Sequence, residues 1–453
     1  VQGLIVQPDE FNLEQPYIER NIRATRAAYG IDQVNERQFP VSYALTKDDI
    51  DSNKATIDNI RIVDWRPLLL TNNQLQVFRT YYDFNDVDID RYLLNVNYTQ
   101  VMLSPREIDV DNIEPSARTW INRHLVYTHG YGFTMSPVNA ISAEGLPLFV
   151  VKDIPPKSDA LSVERPEIYF GQQTDDFVVV KTTTDELDYP SGEMNIYTTY
   201  EGSGIQLSRF NRFVYAVKLS SIELLVSGSL QEESEILFNR RIDKRVEEIA
   251  PFLTYDSDPY LVIDSGKLFW IYDAYTHTDH YPYSDPFDGF NYIRNAVKVV
   301  IDAYTGDTVF YVVDNSDPLV TTYQSIFPSL FKDFSEMPEG LQNHIRYPED
   351  IFSVQASKYA TYHMKDPRVF YNTEDVWNTP SEIYRSSLQQ VDPYYVIMKL
   401  PDEKQEEFIL MLPFVPRNKD NMIGWMAARA DKEHYGKMTV FLFSKQELVF
   451  GPS

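Results

Sequence analysis

The chain has 453 residues, no cysteine and a formal net charge of −26. The missing cysteines exclude disulfides, thiol nucleophiles and Cys-ligated metal centres. The acidic balance argues against nucleic acid or bare anionic lipid as a partner, since phosphate groups attract an excess of Lys and Arg. Hydrophobic residues make up 43% of the chain, enough for an ordinary core. The length allows two or three domains, or one large composite unit. The longest apolar run, FILMLPFV at 408–415, falls well short of the roughly 18 residues that a membrane-spanning helix needs. The chain begins on Val1 and ends on Gly-Pro-Ser, so it reads as a piece of a longer protein.

Residues 14–29 form the first expected helix, with Ile18, Ile22, Thr25 and Tyr29 on one face and Gly30 closing it. A strand is expected at 41–45 and a helix at 68–80. Next, Asp86, Asp88 and Asp90 alternate with Val87 and Ile89, which is a strand period. Three carboxylates on one face suit either a solvated acidic strand or a site for calcium or another divalent cation. The Gly and terminal Glu of an EF-hand loop are absent. A helix is expected at 113–125, followed by a Gly-punctuated loop. His124 and His129 lie five apart, the wrong spacing for two ligands on one helical face. They read as packed or capping groups, with a polar site at His129 as the alternative.

The Pro-rich, polar stretch 152–167 is the expected linker between an N-terminal α/β part, 1–151, and a larger α+β part, 152–453. Strands at 167–170 and 177–182 lead into DYPSGEMNIYTTYEGSGIQL at 188–207. Its glycines read as a shaped entry into the following helix. Tyr197, Tyr200 and Glu201 remain as a candidate polar binding surface, together with His129. Phe210, Phe213, Val214 and Val217 form an i, i+3, i+4, i+7 set, so a helix runs to about residue 219. Ser229 with Glu232 suggests a capping box for a second helix, which Pro251 closes.

Two hairpins follow, turning at 264–266 and 305–307. The loop between them holds His277, His280 and three acids, a second candidate metal site. Helices are expected at 321–331, 339–346, 349–364, 381–389 and 421–430. A hairpin of 394–400 with 406–412 and strands at 437–443 and 448–450 complete the chain. The fold class is therefore α+β, with mixed or mainly antiparallel sheets and flanking helices.

No nucleophile elbow, Walker loop or His-Glu-x-x-His motif is present. Glu193 and Glu201 could form a carboxylate pair, but sequence spacing does not fix their separation in space.

Several long segments, in order, carry a resemblance. They include PYIERNIRATRAAYGID at 16–32, RHLVYTHGYGFTMSPVN at 123–139, LDYPSGEMNIYTTYEGSG at 187–204, HIRYPEDIFSVQASKYATYHM at 344–364 and NMIGWMAAR at 421–429. Together they resemble the UPF0182 family of prokaryotic membrane proteins. The resemblance implies several spanning helices before Val1, a large extracytoplasmic domain and an extension beyond residue 452. It also implies location at the cell membrane and supplies no catalytic residues. The expected function is binding, assembly or gating in the cell envelope, without an enzymatic signature. The alternative is an envelope-acting hydrolase that uses clustered carboxylates, with or without a metal. Expected partners are the protein's own spanning region, envelope components or a second copy.

Overall fold

The computed structural model describes residues 7–41, 44–401, 403–444 and 449–451. Two six-stranded sheets dominate it. One is built from Thr254–Tyr255, Tyr260–Asp264, Lys267–Thr278, Tyr292–Asp302, Thr308–Val312 and Phe331–Asp333. The other holds Asn35–Phe39, Trp377–Asn378, Tyr394–Lys399, Glu406–Pro416, Gly424–Arg429 and Met438–Phe443. Both are mainly antiparallel, and each has one parallel pair. Asn35–Phe39 runs parallel to Met438–Phe443, so an early strand completes the last sheet. Phe331–Asp333 runs parallel to Thr308–Val312.

The helices Glu10–Ala28 and Glu349–Tyr362 link the two sheets through one hydrophobic cluster. It joins Ile22 and Ala28 to Ile351, Phe352 and Tyr359, with Tyr292 from one sheet and Phe408 and Met426 from the other. Glu349–Tyr362 buries residues around most of its circumference, as a helix enclosed by other elements must.

A smaller sheet of Asp88–Leu94, Asn97–Pro105 and Phe133–Pro137 lies between two cores. Alternate side chains of a strand leave opposite faces. Val101 and Leu103 accordingly enter the core of the first large sheet, while Met102 and Ile89 enter the helix-containing cluster. The same alternation sends Asp88 and Tyr92 to the outer edge of Tyr260–Asp264. There Asp88 Oδ2 accepts from the Leu261 amide at 2.9 Å, and the Tyr92 hydroxyl accepts from the Ile263 amide at 3.0 Å. Side chains thus occupy a strand edge that would otherwise leave buried N–H groups unpaired.

Several sequence expectations change in the structure. The stretch 421–430 is strand, because its small residues are enclosed between Glu406–Pro416 and Met438–Phe443. Tertiary pairing overrides the helix preference of its alanines. The stretch 381–389 is a hairpin, Ser381–Tyr384 with Ser387–Gln390, turned through Arg385 and Ser386 at positive φ. The helix expected after Ser229 begins only at Ile242, since Glu235–Leu237 pairs with Val178–Val180. A 3₁₀ turn, Pro115–Ala117, and a five-residue π-helical turn, Asn122–Val126, replace the helix at 113–125. The helix expected at 68–80 spans Trp65–Leu75 and starts where the Asp64 carboxylate accepts from the Arg66 amide. The other helices of the C-terminal half are shorter than expected, with Pro318–Ile326 capped by Asp317 and Glu339–Gln342 a single turn. Ser42 and Tyr43, within the strand expected at 41–45, and Leu448 lie outside the described residues. The turn at 264–266 forms as expected, with Ser265 and Gly266 both at positive φ, the geometry of a tight hairpin.

Lys298 and Asp273 face each other from paired strands and are fully buried as an ion pair. Lys298 Nζ also donates to the Arg346 carbonyl at 2.7 Å, which ties the first large sheet to the segment carrying Arg346. Removing one partner strands a buried charge. Lys298→Met should therefore lower unfolding stability by roughly 3–5 kcal/mol in chemical denaturation. The double variant Lys298→Met, Asp273→Leu should recover most of that loss.

Candidate functional site

A cleft of about 680 Å³ opens where the small sheet, the first large sheet and the start of helix Glu349–Tyr362 meet. Asp86, Asp258, Arg346, Glu349 and Asp350 line its acidic side, and Trp65, Arg66 and Tyr394 lie along its rim. Three different elements place the acids. Asp88 opens its strand, with Asp86 two residues before it. Asp258 sits in the short connection between Thr254–Tyr255 and Tyr260–Asp264, held by its own amide donating to Asp256 Oδ1 at 3.0 Å. Glu349 and Asp350 occupy the first helical turn, where the helix dipole favours negative charge. Asp350 also accepts from the Ser257 amide at 2.7 Å and so fixes that connection to the helix.

Asp86, Asp88 and Asp258 converge. One oxygen from each lies within 4.8 Å of the others, and they form the only such group of three metal-ligating side chains among the described residues. Asp88 is 1% exposed; its Oδ2 is used on the Leu261 amide, while its Oδ1 has no hydrogen-bond partner. The nearest cation is Arg346, whose Nη2 lies 3.9 Å from Asp88 Oδ1 and 3.0 Å from Asp258 Oδ2. The Arg346 guanidinium stacks 3.8 Å from the Tyr260 ring centre and donates from Nη1 to the Ile89 carbonyl at 3.0 Å. It is thus held by four groups and is not free to follow one carboxylate.

The electrostatics follow from this crowding. Burial, then Asp86 and Asp258, pushes the Asp88 carboxyl well above the usual range. Burial raises Asp258 to about 6, with Arg346 opposing the rise and Asp86 adding to it. Its side chain keeps 32% of its surface, which opens into the cleft, but the surrounding walls still strip much of its hydration. Glu349 rises to about 8 by burial and then by the charge of Asp258. Asp256, behind them, rises to about 7 by burial and then by Asp350. The Tyr275 hydroxyl donates to it. One guanidinium does not balance these acids. They could hold a divalent cation, or one of them could keep a proton at neutral pH and act as an acid.

The other sequence candidates fall elsewhere. Asp90 leaves the same face of its strand as Asp88 but meets His344 Nδ1 at 2.8 Å and Arg91 Nη1 at 3.2 Å. Burial would raise it, yet the contacts with His344 and Arg91 outweigh burial and hold it below the usual carboxylate range. His277 and His280 are exposed near the end of Lys267–Thr278, and His280 pairs with its neighbour Asp279. His129 is buried, with Nδ1 hydrogen-bonded to the Gly130 carbonyl at 2.9 Å, and burial lowers it to about 4. Tyr200 is buried against Tyr169 and Tyr304. Glu201 is exposed and pairs with Arg165 at 2.9 Å, while Tyr197 stands exposed on Met194–Thr198. Sequence reasoning missed Asp258, Arg346 and Glu349. The spacing of Asp256 and Asp258 was a usable signal, but nothing local indicates that it meets Asp86.

A family profile described as "Uncharacterised protein family (UPF0182)" matches residues 1–453. A UPF0182 protein of Methanospirillum hungatei is 55% identical over 462 residues, covering 100% of this chain and 51% of that relative. One from Pelotomaculum thermopropionicum is 52% identical over 456 residues, covering 100% of this chain and 50% of the relative. Another, from Trichodesmium erythraeum, is 47% identical over 475 residues, covering 100% and 52%. The chain therefore spans about half the length of the curated relatives it matches. No solved structure matches it significantly. Among the described residues, no helix is long and apolar enough to cross a membrane.

The raised carboxyls set a pH dependence. Glu349 would titrate near 4.5 when unfolded and near 8 when folded. Between those values the folded state holds the extra proton, so its stability is greatest below the lower one and declines as pH rises through the upper. With chelator present, the urea midpoint should fall from pH about 5 to about 8, and Glu349→Gln should flatten that fall.

Proposed function

This chain belongs to the UPF0182 family, and we propose that it supplies a divalent-cation site on which a cell-envelope hydrolytic reaction depends. The observation that carries the reading is the convergence of Asp86, Asp88 and Asp258, one oxygen of Asp88 being buried without a hydrogen bond. Oxygen-only ligands of this kind suit a hard cation such as calcium, magnesium or manganese. A bound cation would polarise a substrate oxygen or lower the pKa of a water. Glu349, whose carboxyl burial and Asp258 raise to about 8 before any cation is bound, lines the same cleft and would donate the proton to a leaving group. Arg66 and Trp65 at the rim offer a cation and a flat ring for the substrate's more distant parts.

A second reading keeps the cation and drops the turnover. Arg346 already sits against Asp88 and Asp258, so an arriving cation would compete with a built-in one. Such competition suits a cation-controlled binding, assembly or gating element. In both readings the remaining half of the relatives' length carries the membrane-spanning part, and this chain lies outside the cytoplasm. The relatives, about twice as long as this chain, leave room for such a part.

Native mass spectrometry and calorimetry with Ca²⁺, Mg²⁺ and Mn²⁺ test the site. One cation per chain is expected, and Asp86→Asn or Asp258→Asn should weaken it by about tenfold or more, because carboxylate count tunes such sites. Asp90→Asn should leave binding intact. Cation-dependent turnover of chromogenic esters, phosphates or glycosides that Glu349→Gln abolishes would support hydrolysis. Binding without turnover would favour the second reading. An unbound chain would overturn both.

A further inference from the structure

The helix Arg209–Lys218 stands with its apolar stripe turned outward. Phe210 is 74% exposed, Phe213 58% and Val217 67%, with Val214 exposed between them. These residues share one face at three- and four-residue steps. The opposite side carries Ala216, which packs with Leu207, Leu224 and Ile236 in a small core. The Ser208 side chain accepts from the Asn211 amide at 3.2 Å and caps the start. The helix is therefore anchored from within, and its outer stripe is not needed to hold it. Among the described residues, Phe210 and Phe213 make no ring contact. The apolar surface continues past the helix end into Ile222, Leu225 and Val226, all exposed.

We infer that this face docks on a lipid bilayer surface. The charge pattern separates that occupant from a second copy or a protein groove. Residues 205–226 contain Arg209, Arg212 and Lys218 but only one acid, Glu223, within a chain of net charge −26. Apolar residues on one face with Lys and Arg beside them is the pattern of a helix lying in the membrane interface. Its rings enter the acyl boundary while the exposed Arg209 and Lys218 meet lipid phosphates; Arg212 is held on the inner side by the Leu207 and Gln231 carbonyls. Ten residues span about 15 Å, enough for contact along the surface and too short to cross it. The exposed acids Glu232 and Glu233 follow next in the chain, so the preference for anionic lipid is modest. The docking does not rest on the cation site, and its test is arranged to keep the two apart.

The test is vesicle flotation in the presence of EDTA, which removes any cation bridge from the acidic cleft to lipid. The chain should float with phosphatidylcholine vesicles, and phosphatidylglycerol should raise the bound fraction by at least about threefold. Phe213→Glu with Val217→Glu should lower partitioning by about tenfold or more without changing the unfolding midpoint, because both residues are exposed. Asp86→Asn should bind vesicles as the parent does. No flotation, flotation that the double variant leaves unchanged, or a loss of binding on adding phosphatidylglycerol would overturn the proposal. Self-association in light scattering that the double variant abolishes, with no vesicle binding, would assign the face to a second copy instead.

Discussion

The carboxylate of Asp88 does two jobs, and the architecture of the candidate site depends on both. One oxygen terminates the edge of Tyr260–Asp264 by accepting from the Leu261 amide. That contact seats the small sheet against the first large sheet without a continuous ladder between them. The other oxygen is thereby fixed inside the structure, beside Asp86, Asp258 and Arg346. A charge so placed cannot be relieved by rotating toward water, because its partner oxygen is committed. The molecule either neutralises it with a proton, balances it with Arg346 or recruits another cation.

Several other buried charges in the chain are closed by a direct ion pair. Lys298 and Asp273 form a closed pair, and Arg429 is matched to Glu407 and Glu403. Asp90, on the same strand face as Asp88, is matched to His344 and Arg91. In each case a nearby cation meets the carboxylate. Around Asp88, Asp258 and Glu349 the carboxylates outnumber the single guanidinium, and their raised pKa values express that imbalance. Elsewhere the polar interior serves mainly to dock one layer on another, as Arg240 does by donating to the Tyr169 carbonyl at 2.7 Å and to the Thr128 carbonyl.

Much of the architecture was legible in the sequence. The helix expected at 14–29 forms as Glu10–Ala28, and the two hairpins between 260 and 312 formed with their turns where Gly266 and Gly306 allow positive φ. The α+β class follows from those elements. Local propensity failed where an enclosed neighbour dictated the backbone, as at Gly424–Arg429 between two strands. The acidic alternation at Asp86 and Asp88 was visible as a pattern, but its third member was not. Asp258 lies 170 positions on from Asp88, so only the folded chain brings them together. The period of the Phe210–Val217 set identified its helix correctly, yet period alone cannot say whether an apolar face turns in or out.

The role of the cleft turns on whether the Asp86–Asp88–Asp258 group holds a metal ion. An anomalous difference map from crystals grown with Mn²⁺ tests this most directly. The predicted result is one strong peak among those three carboxylates, with the Arg346 guanidinium displaced from Asp88. A map with no peak there, or with Mn²⁺ only at exposed acids and Arg346 still seated between Asp88 and Asp258, would contradict it.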